Sequence, residues 1–163
     1  MEIDDVYARV KNAIEELIEK DSFLIEVDAN ERSISHKLAV YLEEQFGEWD
    51  VDCEYNRVGE EHVKKVIEFE EIERCYADRK VDSNEVAVFP DIIVHERGKP
   101  NNLVVIEVKK SGNGMGAQCD LLKLGKYKEQ LGYRFPLFVE FDARLGKSTY
   151  RVLDEQGQEV RLG

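Results

Sequence analysis

Proline is scarce in this chain, with three among 163 residues. No Pro-rich or Gly-rich linker, low-complexity tract or internal repeat divides it, so a single domain over residues 1–163 is expected. Cysteine is equally sparse. Cys53, Cys75 and Cys119 are odd in number, widely spaced and form no CxxC pair, which argues against a disulfide framework or a zinc site. The expectation is three small hydrophobes in or near the core of a cytoplasmic protein in a reducing compartment. No apolar run approaches the roughly 20 residues that a bilayer requires, so no membrane association is expected. The N-terminal MEIDDVYARV has neither the basic nor the apolar region of a signal peptide. A helix-turn-helix, a zinc finger and a separate basic arm are also missing, so no sequence-reading element is visible.

What is present is charge: 36% of residues, with a net of −12. That balance excludes a generic nucleic-acid coat, whose attraction to phosphate depends on basic surface. The distribution is uneven. From Arg97 to Arg151 there are 11 Lys and Arg against 5 Asp and Glu, a local +6 that leaves −18 for the rest. A basic face and an ordinary solvated surface both fit this asymmetry.

Apolar residues at helical spacing from Ile3 to Ile18 predict an amphipathic helix over residues 2–20. VDANERSISHKLAVYLEEQF predicts a second, with Ile34, Leu38, Leu42 and Phe46 inward and Asp28 or Asn30 as its cap. WDVDCEYNR alternates as a half-buried strand with Val51, Cys53 and Tyr55 inward. HVKKVIEFEEIER fits a helix, followed by a polar loop through DRKVDSN. EVAVFPDIIV then reads as a strand carrying Pro90, HERGKPNN as a turn, and LVVIEVKK as a very apolar central strand. SGNGMGAQ reads as a glycine-rich loop before a helix over residues 118–131. FPLFVEFD, STYRVLD and QEVRL are the closing strands. The order predicts an α/β fold with a mixed central sheet flanked by helices.

LVVIEVKK raises the chemical question. A buried strand needs its four leading apolar residues but not the charges at its end. The turn makes the strands around Asp91 and Glu107 antiparallel neighbours. Glu107 and Lys109 share one face, about 7 Å apart. Two carboxylates and an ammonium gathered there are costly unless they pair or bind a cation. An ordinary strand-end ion pair accounts for Glu107 and Lys109 alone. With Asp91 after a proline on the neighbouring strand, a site for a hard divalent ion accounts for all three.

Pro90-Asp91, fifteen intervening residues, and Glu107-Val108-Lys109 resemble the PD-(D/E)XK nuclease superfamily. The apolar strand before E-x-K and the helix after it resemble that family too, over roughly residues 28–142. The resemblance implies a restriction endonuclease-like αβββαβ core, here with an extra N-terminal helix. It also implies a nuclease hydrolysing nucleic acid, DNA by family analogy, with Mg²⁺ or Mn²⁺ as cofactor. Asp91 and Glu107 would hold the metal, the Val108 carbonyl would add a ligand, and Lys109 would contact the attacking water. Glu31, in register with Ile34, Leu38 and Leu42, is a further metal candidate; bonding the Asp28 amide in a capping box is its alternative. Gln118 and Lys123 are candidates for contacting phosphate, although Lys123 also fits a solvated lysine face.

Glu54 is compatible with the metal or with solvent. His36 is expected on the surface, His95 exposed near the turn, and Lys110 pointing opposite to Lys109. A protein partner would have to supply target recognition. The second reading is a non-catalytic module of the same fold that binds a protein or nucleic acid.

Overall fold

The computed structural model describes residues 1–27, 29–57, 66–68, 75, 80–82, 85–111, 114–144 and 146–163. Helix α1 (Ile3–Glu26) buries Val6, Val10, Ala13, Ile14 and Leu17, the stripe its spacing dictates. It continues past residue 20 through a kink at Asp21, φ −130° and ψ 24°. There the Asp21 carboxylate accepts the Tyr41 hydroxyl and stands 3.7 Å from Lys37 Nζ, so polar contacts to the next helix accompany the break. Helix α2 (Glu31–Gln45) starts at Asn30, whose side chain accepts the Arg32 amide at 2.8 Å and the Ser33 amide at 3.4 Å. Asn30 is therefore the cap. Asp28 lies outside the described residues.

The strands are β1 (Asp50–Cys53), β2 (Val66–Glu68), β3 (Lys80–Asp82), β4 (Glu85–Ala87), β5 (Ile92–Glu96), β6 (Asn101–Lys110), β7 (Phe135–Arg144) and β8 (Lys147–Leu153). Helix α3 (Gly114–Leu131) joins β6 to β7. Five strands make one sheet in the order β1-β5-β6-β7-β8, and three make a small one ordered β2-β4-β3. In the large sheet β6 and β7 run parallel and every other pair antiparallel, so the sheet is mixed. The parallel pair needs a crossover, which α3 supplies. Gly98, at φ 75°, turns the short β5–β6 connection in a conformation that only glycine adopts freely.

Strand β6 occupies the centre, and Leu103 to Ile106 are completely buried. Both faces are covered, which is why its sequence is continuously apolar instead of alternating. On one face α1 and α2 pack against Ile92, Val94, Val104, Ile106 and Val139. On the other, Leu124 and Tyr127 of α3 pack against Ile93, Val105 and Phe138.

Several expectations are corrected. The helix expected over residues 62–74 is interrupted by strand β2 at Val66–Glu68, and its other residues lie outside the described ones. The polar loop over residues 78–84 contains β3. EVAVFPDIIV is not one strand: Pro90, which has no amide to donate, separates β4 in the small sheet from β5 in the large one. Helix α3 begins inside the glycine-rich stretch, at Gly114. QEVRL contributes a single bridge, Glu159 to Leu153, in place of a strand.

The cysteines differ most. Cys75 and Cys119 form a disulfide, their Cα atoms 5.7 Å apart across 44 residues of chain. Sequence spacing carries no information about that approach. Cys53 is exposed and free, since it ends a four-residue strand at the sheet edge.

Candidate functional site

The β5–β6 register pairs Ile92 with Ile106, and the next position outward sets Asp91 across from Glu107. Asp91 Oδ2 accepts the Val108 amide at 2.8 Å, which fixes the carboxylate at the strand end. Glu31, in the first turn of α2, reaches the same end: its Oε2 accepts the Lys110 amide at 3.0 Å. Its carboxylate is thus bound to β6. Asp91, Glu107, Val108, Lys109 and Glu31 line one cleft of about 660 Å³. Lys123 and Asp120 of α3 close one side; Arg32, Glu54, Ala87 and Phe89 complete the lining.

The charges in the cleft are tightly linked. Glu107 is 3% exposed, and its Oε2 lies 2.9 Å from the Lys123 ammonium. The same ammonium is 3.2 Å from Asp120 Oδ1, while Lys109 Nζ is 3.2 Å from Asp120 Oδ2. Asp120 therefore holds one lysine on each oxygen. Among the described residues, Glu107 Oε1 is buried with no hydrogen-bond partner. Burial pushes the Glu107 carboxyl up, with Asp91 and Asp120 adding to the rise and Lys123 opposing it. Burial likewise raises Asp91; the Val108 amide and Lys123 pull it down without cancelling the rise.

Gly116, in the first turn of α3, leaves the path that Lys109 occupies. A Cβ there would stand 2.5 Å from Nζ and 2.8 Å from Cε. The missing side chain allows the ammonium to reach Asp120.

Among the described residues, no group of three or more His, Cys, Asp or Glu is arranged to hold a metal ion. Mg²⁺ does not require three: it commonly takes one or two carboxylates and keeps several waters. Asp91 and Glu107 are hard oxygen donors lining the cleft, and Glu107 retains an oxygen without a partner. The residues present fit that ion. In the described arrangement the Lys123 ammonium takes part of a cation's role.

The remaining candidates divide. Lys123 is buried in the cleft wall, not on a solvated face. Gln118 is exposed on α3 and is not among the described cleft-lining residues. Glu54 reaches the cleft with an exposed side chain 3.2 Å from Arg32, an ion pair of little energetic weight at such exposure. Lys110 Nζ lies 3.4 Å from the Ala29 carbonyl, on the α2 side. His36 is exposed.

His95 is not exposed: it is 3% accessible, its Nε2 is 2.9 Å from Asp52 Oδ2, and its ring centre is 5.0 Å from that of Tyr55. Alternation puts His95 on the Ile93 face of β5, and Asp52 and Tyr55 cover it there. Burial pushes the Asp52 carboxyl up, but bonds from Arg97 and His95 outweigh it and hold it below the usual range. The basic surplus is also less free than its count implies, because Lys126, Lys128, Arg144 and Arg151 each pair with an acid.

Sequence reasoning missed Asp120 and Phe89. Asp120 had a signal: with Ala117, Leu124 and Tyr127 it falls at i, i+3, i+7 and i+10, a polar residue on an inward stripe. Phe89 passed as one more strand residue before Pro90. The chain matches no protein-family model and no curated protein sequence.

Proposed function

We propose that this chain is a Mg²⁺-dependent phosphodiester hydrolase acting on nucleic acid, DNA in the first instance, with a restriction endonuclease-like core. The observation carrying this reading is the gathering of Asp91, Glu107 and Lys109 in one cleft, with a buried Glu107 oxygen left without a partner among the described residues. The element order α2-β1-β5-β6-α3-β7 supports an αβββαβ core, and the Asp91 and Glu107-Val108-Lys109 positions support a PD-(D/E)XK assignment. Asp91, Glu107 and the Val108 carbonyl would hold the ion. When bound, Mg²⁺ or Mn²⁺ supplies charge stabilisation at the phosphoryl group.

The other roles belong to the chain. Lys109 orients the attacking water, and Asp120 positions Lys109 from behind. Lys123, in the cleft wall beside Glu107 and Asp120, would offer its ammonium to a phosphate oxygen. Glu31 braces the end of β6 through the Lys110 amide. Target recognition is assigned to a protein partner. A cytoplasmic location belongs to this proposal and has a consequence: the Cys75–Cys119 pair would stand reduced there.

The test is cleavage of plasmid and single-stranded DNA by purified protein with Mg²⁺ or Mn²⁺. Lys109→Ala is expected to reduce cutting at least ~100-fold while the fold persists, as for loss of a group that manages the proton of the attacking water. Equal residual activity in both proteins would identify a contaminant. A second reading, a non-catalytic module of the same fold, is favoured by one observation. Lys123 already supplies the carboxylates with a positive partner, so the cleft holds together without a divalent ion. Calorimetric titration with Mn²⁺ that gives no binding heat in the wild type would select this reading.

A further inference from the structure

Phe89 is 43% exposed at the edge of the cleft, although Val88 and Pro90 on either side of it are buried. Its presentation is not slack. The Val88 carbonyl accepts the side-chain amide of buried Asn56, and the Pro90 carbonyl accepts the Glu54 amide at 2.9 Å. Glu54 makes that bond from φ 49°, the left-handed region that residues other than glycine seldom occupy. The backbone is therefore gripped on both sides of an aromatic ring that forgoes burial. Strain of this kind persists where the surroundings over-determine it, and it gathers at sites that clamp ligands.

The position of the ring relative to the carboxylates suggests what it meets. Phe89 and Asp91 lie two residues apart in the chain and line the same cleft. A nucleotide likewise carries its base next to its own phosphate, so one cleft with an aromatic ring at its edge and carboxylates inside can meet both. An aromatic face presented there offers any base a stacking surface without reading its identity. Bases inside a duplex are already stacked on their neighbours and present no face to a cleft wall.

We propose that Phe89 is a stacking platform for an unpaired base, so that the cleft takes single-stranded nucleic acid in preference to intact duplex. The proposal rests on the phosphodiester-hydrolase reading and narrows its substrate. Asp91, Glu107 and Lys109 address the phosphate, while Phe89 holds the attached base outside the polar floor. Phe89 acts by positioning the strand and takes no part in bond breaking.

Fluorescence anisotropy with a labelled oligothymidine and a blunt duplex, using Ca²⁺ in place of Mg²⁺ to suppress cutting, tests the platform. Phe89→Ala is expected to bind the single strand roughly tenfold more weakly and the duplex as the wild type does. Phe89→Trp is expected to restore single-strand binding. Because the side chain is half exposed, both variants should melt with the wild type, and a matching thermal scan checks this. Equal single-strand affinity in wild type and Phe89→Ala overturns the platform, as does an equal loss on both ligands or a wild type that binds neither.

Mg²⁺-dependent cleavage of the same oligonucleotide separates the two readings. Cutting that is indifferent to Phe89, with binding equally indifferent, sinks the platform and leaves the hydrolase standing. Phe89-dependent binding without any cutting supports the platform and removes the hydrolase reading.

Discussion

The two faces of the central sheet are built from the same strands and held by different physics. On the α1–α2 face, Val10, Ile14, Leu17, Leu38 and Leu42 bury themselves against Val104, Ile106 and Val139. On the α3 face the apolar patch gives way toward the strand ends to two lysines and two carboxylates, locked at 2.9 to 3.2 Å. The first arrangement gains stability from area removed from water. The second must first overcome the cost of dehydrating charge, and it does so only while every partner is present. One face therefore tolerates change in small steps, while the other depends on the integrity of its set.

The sharpest way to break this contrast is to remove one charge. Above pH 8, where the raised Glu107 carboxyl is ionised, Lys123→Ala should destabilise the protein by about 4 kcal/mol, since it strands a buried carboxylate. Leu42→Ala on the opposite face should cost about 3 kcal/mol through its cavity. Denaturant titrations with and without Mn²⁺ distinguish them: the ion should recover part of the first loss and none of the second.

Proton linkage sharpens the comparison further. Burial pushes Glu107 up to about 8 from its usual 4.5, and Asp91 is raised as well. Between those values the folded protein retains a proton that the unfolded chain has released. Stability from this source is complete below pH 4.5 and lost as pH rises through 8. Glu107→Gln should flatten that slope in metal-free protein, whereas Leu42→Ala should lower the whole curve and keep its tilt. Chemical unfolding across the window reads both.

The smallest effect on stability is expected at Gly116. Alanine improves helix propensity by about 1 kcal/mol, yet its Cβ would displace the Lys109 ammonium from Asp120. Gly116→Ala should thus melt within about 1 kcal/mol of the wild type while losing activity. A variant that retains full cutting would show that Lys109 works without that support.

Much of this contrast was legible in the residues. LVVIEVKK could be placed at the sheet centre because an unbroken apolar run implies two covered faces, and HERGKPNN fixed its neighbour through a short turn. Glu107 and Lys109 followed from strand alternation, and Glu31 from helical register. What escaped reading depended on contacts distant in sequence or on local departures from periodicity. His95 is covered by Tyr55 and by Asp52, 43 residues earlier in the chain, and Cys75 meets Cys119 across a separation that no pattern encodes. The stretch before Pro90 mixes Glu, Lys and apolar residues without a clean period, so a helix and a polar loop could be fitted where Val66–Glu68 and Lys80–Asp82 form strands. Asp120 was hidden because an acid beside a lysine on a helix ordinarily faces water.

The contacts that build the cleft are mostly close along the chain. Asp91 meets Val108 across 17 residues and Lys109 meets Asp120 across 11, whereas Glu31 reaches Lys110 across 79. Closing short loops costs little chain entropy, and contacts of small sequence separation are the ones that fold rapidly. Residues 91–123 thus supply most of the cleft: the hairpin delivers Asp91, Glu107 and Lys109, and the next helix delivers Asp120 and Lys123. Helix α2 adds its glutamate from far away, and that contact requires the rest of the domain to close around it.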